Sequence, residues 1–309
     1  MIVFWLAVVV VGLTMAIVAS GRAVGYASDL AFSFSVPPFV IGAIVVAIGT
    51  DLPEIANAVV SAITEHGDMA TGTALGSTIT QMTLVLGILP FVGGTMASGP
   101  RRIVLPGSMI VVGLLVGAVF GADGTLTRFE GAVLILVWVV SAVLIYRSAP
   151  PAGAPSMVAS ERRPARALTG VMVSLALVGA GATAAVMAFV EIAEALDVPL
   201  FLLSFFVASI GTSLPELVVD VVAIRRGEKD MAIGDIFGSS LIDATLALGI
   251  GPVIVPLAVD GSLLVRSALA GAVIVALLTF VLARRRHHDR VTGVLLLMAY
   301  AALYPVLLA

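Results

Sequence analysis

No cysteine occurs in the 309 residues. Disulfides and thiolate metal sites are thereby excluded, and nothing about a redox compartment can be read. Charge is nearly as scarce: Asp, Glu, Lys and Arg fill 11% of positions, against about one quarter in soluble domains, while 60% are hydrophobic. Such a chain cannot be an ordinary soluble domain and is expected to be an all-α integral membrane protein lying in a lipid bilayer. The net charge of −3 is divided over two membrane faces and says little. No nucleic-acid partner is expected, and a monomer is compatible with everything that follows.

A helix crosses the hydrocarbon core with roughly 20 apolar residues. Ten runs of that kind are found, at about 2 to 21, 37 to 63, 69 to 93, 103 to 122, 129 to 147, 167 to 190, 199 to 224, 231 to 258, 264 to 283 and 291 to 309. Between the first two, Gly21 to Pro38 holds Arg22, Asp29, several serines and Pro37-Pro38 and reads as a short loop. Threading ten spans puts 14 of the 16 basic residues on one side, leaving only Arg128 and Arg266 on the other. By the positive-inside rule the rich side is cytoplasmic, so both termini are expected outside the cytoplasm, in a multi-pass cell (inner) membrane protein. The first apolar run has no basic residue before it and Arg22 after it, which reads as a retained span rather than a cleaved signal peptide.

Polar residues inside the spans are not scattered. Gly49-Thr50-Asp51-Leu52-Pro53-Glu54 returns 162 residues later as Gly211-Thr212-Ser213-Leu214-Pro215-Glu216, and the same offset lays Gly76-Ser77 on Gly238-Ser239 and Gln81 on Asp243. From Ile48 to Pro90 against Ile210 to Pro252, 20 of 43 positions are identical without a gap. The chain is a duplication, with a first five-helix repeat over 1–147 (core 37–93), a cytoplasmic linker over 148–166 and a second repeat over 167–309 (core 199–258). An odd number of spans per repeat turns the halves over relative to one another, giving ten transmembrane helices as two inverted five-helix repeats, with helices 2, 3, 7 and 8 expected to be broken. The linker is too short for a soluble regulatory domain.

Proline at 53 withholds an N–H from the carbonyl four residues back, and glycine beside it lets the chain unwind. In hydrocarbon, carbonyls freed in this way are tolerated only where protein, water or an ion satisfies them. Thr50 and Glu54 lie four apart on one helical face, as do Ser77 and Gln81, Thr212 and Glu216, and Ser239 and Asp243; Asp51 can join the first of these faces. Burying an ionised Asp at a helix centre costs about 2.5 to 3.5 kcal/mol. Asp51, Glu54, Glu216 and Asp243 sit at such depths with no intramembrane Lys, Arg or His to pair with them, so something positive must come and go. The accompanying groups are hydroxyls, an amide and backbone carbonyls, all hard oxygen ligands that suit calcium and sodium and not zinc or copper. Desolvation and like-charge neighbours penalise ionisation of these acids, so protons are expected to compete with the ions. Asp220 and Asp235, a turn away from the break, fit a cavity rim or helix end as well as they fit ligation. His287 and His288 read as part of a solvated basic run, and Gly113, Gly117 and Gly121 as a packing face between helices.

At these residues the chain resembles the sodium/calcium exchanger family of the cation/calcium antiporter superfamily, in particular prokaryotic members without a regulatory loop. The resemblance rests on the paired Gly-Thr-x-Leu-Pro-Glu and Gly-Ser motifs of both halves. It implies a diamond-like cluster in which Glu54, Glu216, Thr50 and Thr212 hold a central calcium flanked by Gln81 and Asp243. Sodium would also use Ser77, Ser239 and the carbonyls of Ala47 and Ser209, and the first and sixth spans would slide to alternate access. Asp51 stands where the family pattern has Ser, which Ser213 keeps; Gln81 stands for Asn or Asp, and Thr78 for the Asn after Gly-Ser. These departures bear on ion selectivity and stoichiometry.

The function expected is secondary antiport of sodium for calcium, with no cofactor beyond the transported ions Ca2+ and Na+ and, in the alternative that Asp51 favours, H+. An intramembrane aspartyl hydrolase using Asp243 with Asp51 or Asp235 is the rival from another class. It lacks the Gly-x-Gly-Asp context and has no use for symmetric Pro-Glu breaks, so the chain is expected to be a transporter and not an enzyme.

Overall fold

Helix α1 (Ile2–Ser33) is 32 residues long, about 48 Å at 1.5 Å per residue, and so exceeds the roughly 30 Å hydrocarbon core. The computed structural model to which it belongs describes residues 2–148, 164–195 and 213–308. The loop expected over Gly21 to Pro38 is corrected to a helix that stops only at Ser33. Its serines do not break it because their hydroxyls turn back onto helix carbonyls, Ser20 onto Ile17, Ser28 onto Val24 and Ser33 onto Asp29, at 2.8 to 2.9 Å. The chain turns at Ser35, which has φ +51°, and restarts at Pro37-Pro38.

Helix α2 (Pro38–Thr50) and helix α3 (Leu52–Ile63) form one bent element, kinked by 46° at Asp51. There follow α4 (Gly67–Gly93), α5 (Pro100–Phe120), α6 (Arg128–Ser148), α7 (Pro164–Ala195), α8 (Leu214–Arg225), α9 (Lys229–Ile254), α10 (Gly261–Arg285) and α11 (Arg290–Leu308). Seven of the described helices are long and apolar enough to cross a membrane, or eight if the bent pair is one span. The span expected at 199 to 224 lies partly outside the described residues.

Helices α4 and α9 are the inner elements. In α9, 83% of the apolar stretch is buried, against 17% in α1. Around them α1 packs along α7, α5 along α10, α6 against the end of α9, and α11 against the end of α4. Gly12 and Gly181 bring α1 and α7 together backbone to backbone, since a Cβ on either would lie 2.6 Å from the carbonyl oxygen of the other. The glycine series of α5 packs within the chain: Gly113 faces Ala244 and Thr245, Gly117 faces Leu248, and Gly121 faces Leu264.

The expectation that the third and eighth spans are broken is corrected: α4 and α9 run through. Each is loosened by a wide π-helical turn, Gln81–Val85 in one and Ile242–Ala247 in the other. Such turns shift hydrogen-bond register without severing the helix and recur at functional sites. The 162-residue offset carries one turn onto the other within a residue. It likewise carries β1 (Met96–Ala97) onto β3 (Leu257–Ala258) and β2 (Thr125–Leu126) onto β4 (His287–His288), within one residue. β1 pairs with β4 and β2 with β3, tying the bundle at both ends of α5.

His288 is also corrected, from a solvated residue to one 1% exposed. Pro90 inside α4 has no N–H to give the Leu86 carbonyl, and His288 Nε2 supplies the missing donor at 2.8 Å, while Nδ1 meets Thr292 Oγ1 at 2.6 Å. Burial holds this imidazole below its ordinary value of 6.5, with the Leu86 bond working in the opposite direction. The unfolded chain therefore takes up this proton first as pH falls, so the contribution of His288 to stability is present above 6.5 and lost below it. In melting curves taken between about pH 5 and 8, His288→Leu is expected to remove that slope. At neutral pH it is expected to lower stability by about 1 to 3 kcal/mol through the unpaired Leu86 carbonyl.

Candidate cation-binding site

The site is built where the kinked α2–α3 element crosses α9. A Cβ on Gly42 would strike the Met231 carbonyl oxygen, one on Gly234 the Phe39 carbonyl oxygen, and one on Gly238 would lie 2.6 Å from the Ala43 Cα. Only glycine lets these two backbones touch, and the contact sets Thr50 against the middle of α9. Its hydroxyl lies 3.3 Å from Ser239 Oγ and 3.5 Å from Asp235 Oδ1, and also 3.2 Å from the Ala47 carbonyl oxygen.

Asp51 is the kink itself, with φ −81° and ψ 4°, and Ser213 at the equivalent place has φ −88° and ψ 9°. Each precedes a helix with proline in its first turn and a glutamate one residue later, so Glu54 and Glu216 are carried on two helix N-termini, where the backbone dipole favours negative charge. Asp51, Glu54 and Glu216 each bring a carboxylate oxygen within 4.8 Å of the other two, and all three residues are at most 2% exposed.

The flanking groups come from the wide turns. Gln81 Nε2 is 3.5 Å from Asp51 Oδ1, Gln81 Oε1 accepts Ser240 Oγ–H at 3.0 Å, and Asp243 lies beside Gln81. Ser77, Ser213 and Ser239 are buried. The Ala47 carbonyl oxygen also accepts the Asp51 N–H at 3.0 Å. Thr78, at the position where the family pattern has Asn, turns its hydroxyl onto the Ala74 carbonyl at 3.0 Å. Thr212 and Ser209, named with these residues from the sequence, lie outside the described residues.

What remains unsatisfied defines the chemistry. Both carboxylate oxygens of Glu54, Glu216, Asp220 and Asp243, the Oδ2 of Asp51 and Asp235, and Ser213 Oγ are buried with no hydrogen-bond partner in the protein. Among the described residues the sole buried base is His288, bonded elsewhere. Sequence reasoning left Asp220 and Asp235 open between a rim or helix end and ligation; both are 0% exposed and adjacent to each other. It passed over Ser240, whose only mark in the sequence is its place beside Ser239.

A bent apolar bundle whose centre is lined with unpaired carboxylates and hydroxyls defines a membrane transporter of cations, not an enzyme. The comparisons with known proteins agree. The family profile described as "Sodium/calcium exchanger protein" matches residues 4–147 and 166–308, and the chain belongs to this family. It is 32% identical over 303 residues to the putative antiporter CaxA of Alkalimonas amylolytica, covering 94% of this chain and 95% of that one. It is 25% identical over 345 residues to the sodium/calcium exchanger MaX1 of Methanosarcina acetivorans, covering 97% of each. The solved sodium-calcium exchanger NCX_Mj superimposes with a TM-score of 0.83 at 26% identity, over 99% of both chains.

Gly238→Val is expected to force α2 and α9 apart and cost about 1 to 3 kcal/mol, the range for overpacking a filled interior. A melting shift of that size, with the same change at the open position Gly72 nearly silent, would be the signature.

Proposed function

We propose that this chain exchanges sodium for calcium by alternating access, through ten spans arranged as two inverted repeats with both termini outside the cytoplasm. The observation that carries this reading is the convergence of Asp51, Glu54 and Glu216 within 4.8 Å, buried and without a basic partner. Carboxylates so placed demand positive charge, and the oxygen-only surroundings favour hard cations. The two helix starts after Asp51 and Ser213, the two wide turns and the two strand pairs, each related by the 162-residue offset, support the inverted repeat. The names of the relatives, a sodium/calcium exchanger and an antiporter, support the ions and the exchange.

In this reading Glu54 and Glu216 hold calcium from opposite halves. Thr50 and Thr212 join them on the calcium, Ser77, Ser239 and the carbonyls of Ala47 and Ser209 also serve sodium, Ser213 keeps the family residue beside them, and Gln81 and Asp243 flank the centre. Bare carboxylates resist being carried through a low-dielectric barrier while neutralised ones do not, so only loaded states cross. Sodium and calcium compete for the same oxygens, and the first and sixth spans, α1 and α7, are the pair that slides over the rest, moving together because their backbones touch at Gly12 and Gly181. In sealed vesicles of purified protein, Glu54→Gln and Glu216→Gln are each expected to abolish sodium-driven calcium flux. Retained flux in both would overturn the assignment of the site.

A second reading, proton-coupled calcium exchange, is favoured by one observation: Asp51 adds a carboxylate at the centre where the other half has Ser213. Calcium flux is compared under a sodium gradient at fixed pH and under a pH gradient without sodium. Flux under the first alone is expected, and Asp51→Ser is expected to reduce any flux under the second.

A further inference from the structure

Two of the buried acids stand apart from the central three. Asp220 lies on α8 one turn past Glu216, and Asp235 on α9 one turn before Ser239, so both sit about 6 Å along their helices toward the α8–α9 turn. They are adjacent, and each is 0% exposed. Three of their four carboxylate oxygens have no hydrogen-bond partner in the protein, and the fourth meets only the Thr50 hydroxyl at 3.5 Å.

Among the described residues no base neutralises them. The charged groups that bear on the pair are themselves acids, Asp51 and Glu216. The nearest bases along the chain are committed elsewhere or exposed: Lys229 Nζ donates to the Gly93 and Thr95 carbonyls, Arg226 packs its guanidinium against Gly21, and Arg225 is exposed. Two adjacent buried carboxylates lose their hydration and repel one another, and the contact between them becomes a hydrogen bond only when one of the two carries a proton. A hard cation between them removes both penalties at once, and the Thr50 hydroxyl offers a neutral oxygen beside them.

We infer that Asp220 and Asp235 form a second cation site, holding one divalent cation a helical turn from the central cluster on the side of the α8–α9 turn. The inference rests on the central cluster being the transport site and goes beyond it. The site is one-sided. The 162-residue offset places Ala58 and Thr73 at the equivalent positions of the first half, where Ala58 has no ligand and Thr73 spends its hydroxyl on the Met69 carbonyl at 2.8 Å. A cation travelling by the α8–α9 end therefore meets a carboxylate station before the centre, and one travelling by the opposite end does not. Thr50, which touches both Asp235 and Ser239, joins the station to the central cluster.

The test counts calcium bound per chain by equilibrium dialysis of radioactive calcium against the full-length protein in detergent without sodium. Wild type is expected to bind two calcium ions at saturation, and Asp220→Asn and Asp235→Asn one each. Glu54→Gln is also expected to bind one, and Glu54→Gln with Asp220→Asn none. A wild type that binds one calcium, with the count unchanged in both asparagine variants, overturns the second site and leaves the central reading intact. A Glu54→Gln count equal to wild type refutes the central reading, while the asparagine variants still decide the second site. Should either asparagine variant fail to elute as a single folded species, Asp220→Ser is counted in its place, with the same loss of one calcium expected.

Discussion

Carboxylates without partners in an apolar interior are the constraint on which the rest of this structure depends. An ionised group placed there must find a counter-charge or a set of hydrogen bonds, and removing one partner from such an arrangement is strongly destabilising. Six acids are buried in this chain, and no lysine or arginine is buried with them among the described residues. A protein that needed these residues only for its fold would have paired them internally. Leaving them unpaired makes the stability of each conformation depend on what positive charge is bound, and that dependence is the physical basis of coupling between cations.

The backbone is shaped to hold those acids in place without satisfying them. Close contact at Gly42, Gly234 and Gly238 fixes the distance between the kinked element and α9, so Thr50 meets Ser239 while the carboxylates stay open. The kink at Asp51 and the helix start after Ser213 put Glu54 and Glu216 at helix N-termini, and the wide turns at Gln81 and Ile242 point flanking groups at the same volume. Elsewhere the same helices are closed with care. Where Pro90 orphans the Leu86 carbonyl, His288 reaches from the far end of the chain to pair it. Among the described residues, every buried carboxylate left open lies at the centre or one helical turn from it.

Much of this was legible in the sequence because hydrocarbon penalises polar atoms so heavily that their positions carry information. The repeated Gly-Thr-x-Leu-Pro-Glu run marked the kink at Asp51 and the helix start after Ser213, and helical spacing put Asp51 on the face of Glu54. What was not legible has physical reasons. Serines in α1 read as a loop, yet each hydroxyl can satisfy itself on the preceding turn, so they mark a helix in lipid as readily as its end. Glycine-rich segments in α4 and α9 read as breaks, whereas Gly234 and Gly238 of α9 serve close approach, Gly72 and Gly76 of α4 sit in an unbroken helix, and the register change is made by a π-helical turn in each. The burial of His288 depends on a carbonyl 202 positions away, which no local pattern reveals. Asp220 and Asp235 looked marginal because sequence spacing measures distance from the kink along one helix, whereas their environment is set by the second helix lying against the first.

The halves also differ in a way that the duplication throws into relief. The 162-residue offset sets Asp51 against Ser213, Gln81 against Asp243, Ala58 against Asp220 and Thr73 against Asp235. One half thus contributes an added acid at the kink, and the other adds acids on the inner helices and toward one end. Asp51, Asp243, Asp220 and Asp235 have no acidic counterpart across the repeat, so the two halves present different fields to a cation even where their sequences coincide. A carboxylate attracts a hard cation more strongly than the hydroxyl, amide or methyl group at the matching place, so these four substitutions are where the halves part in their affinity for cations.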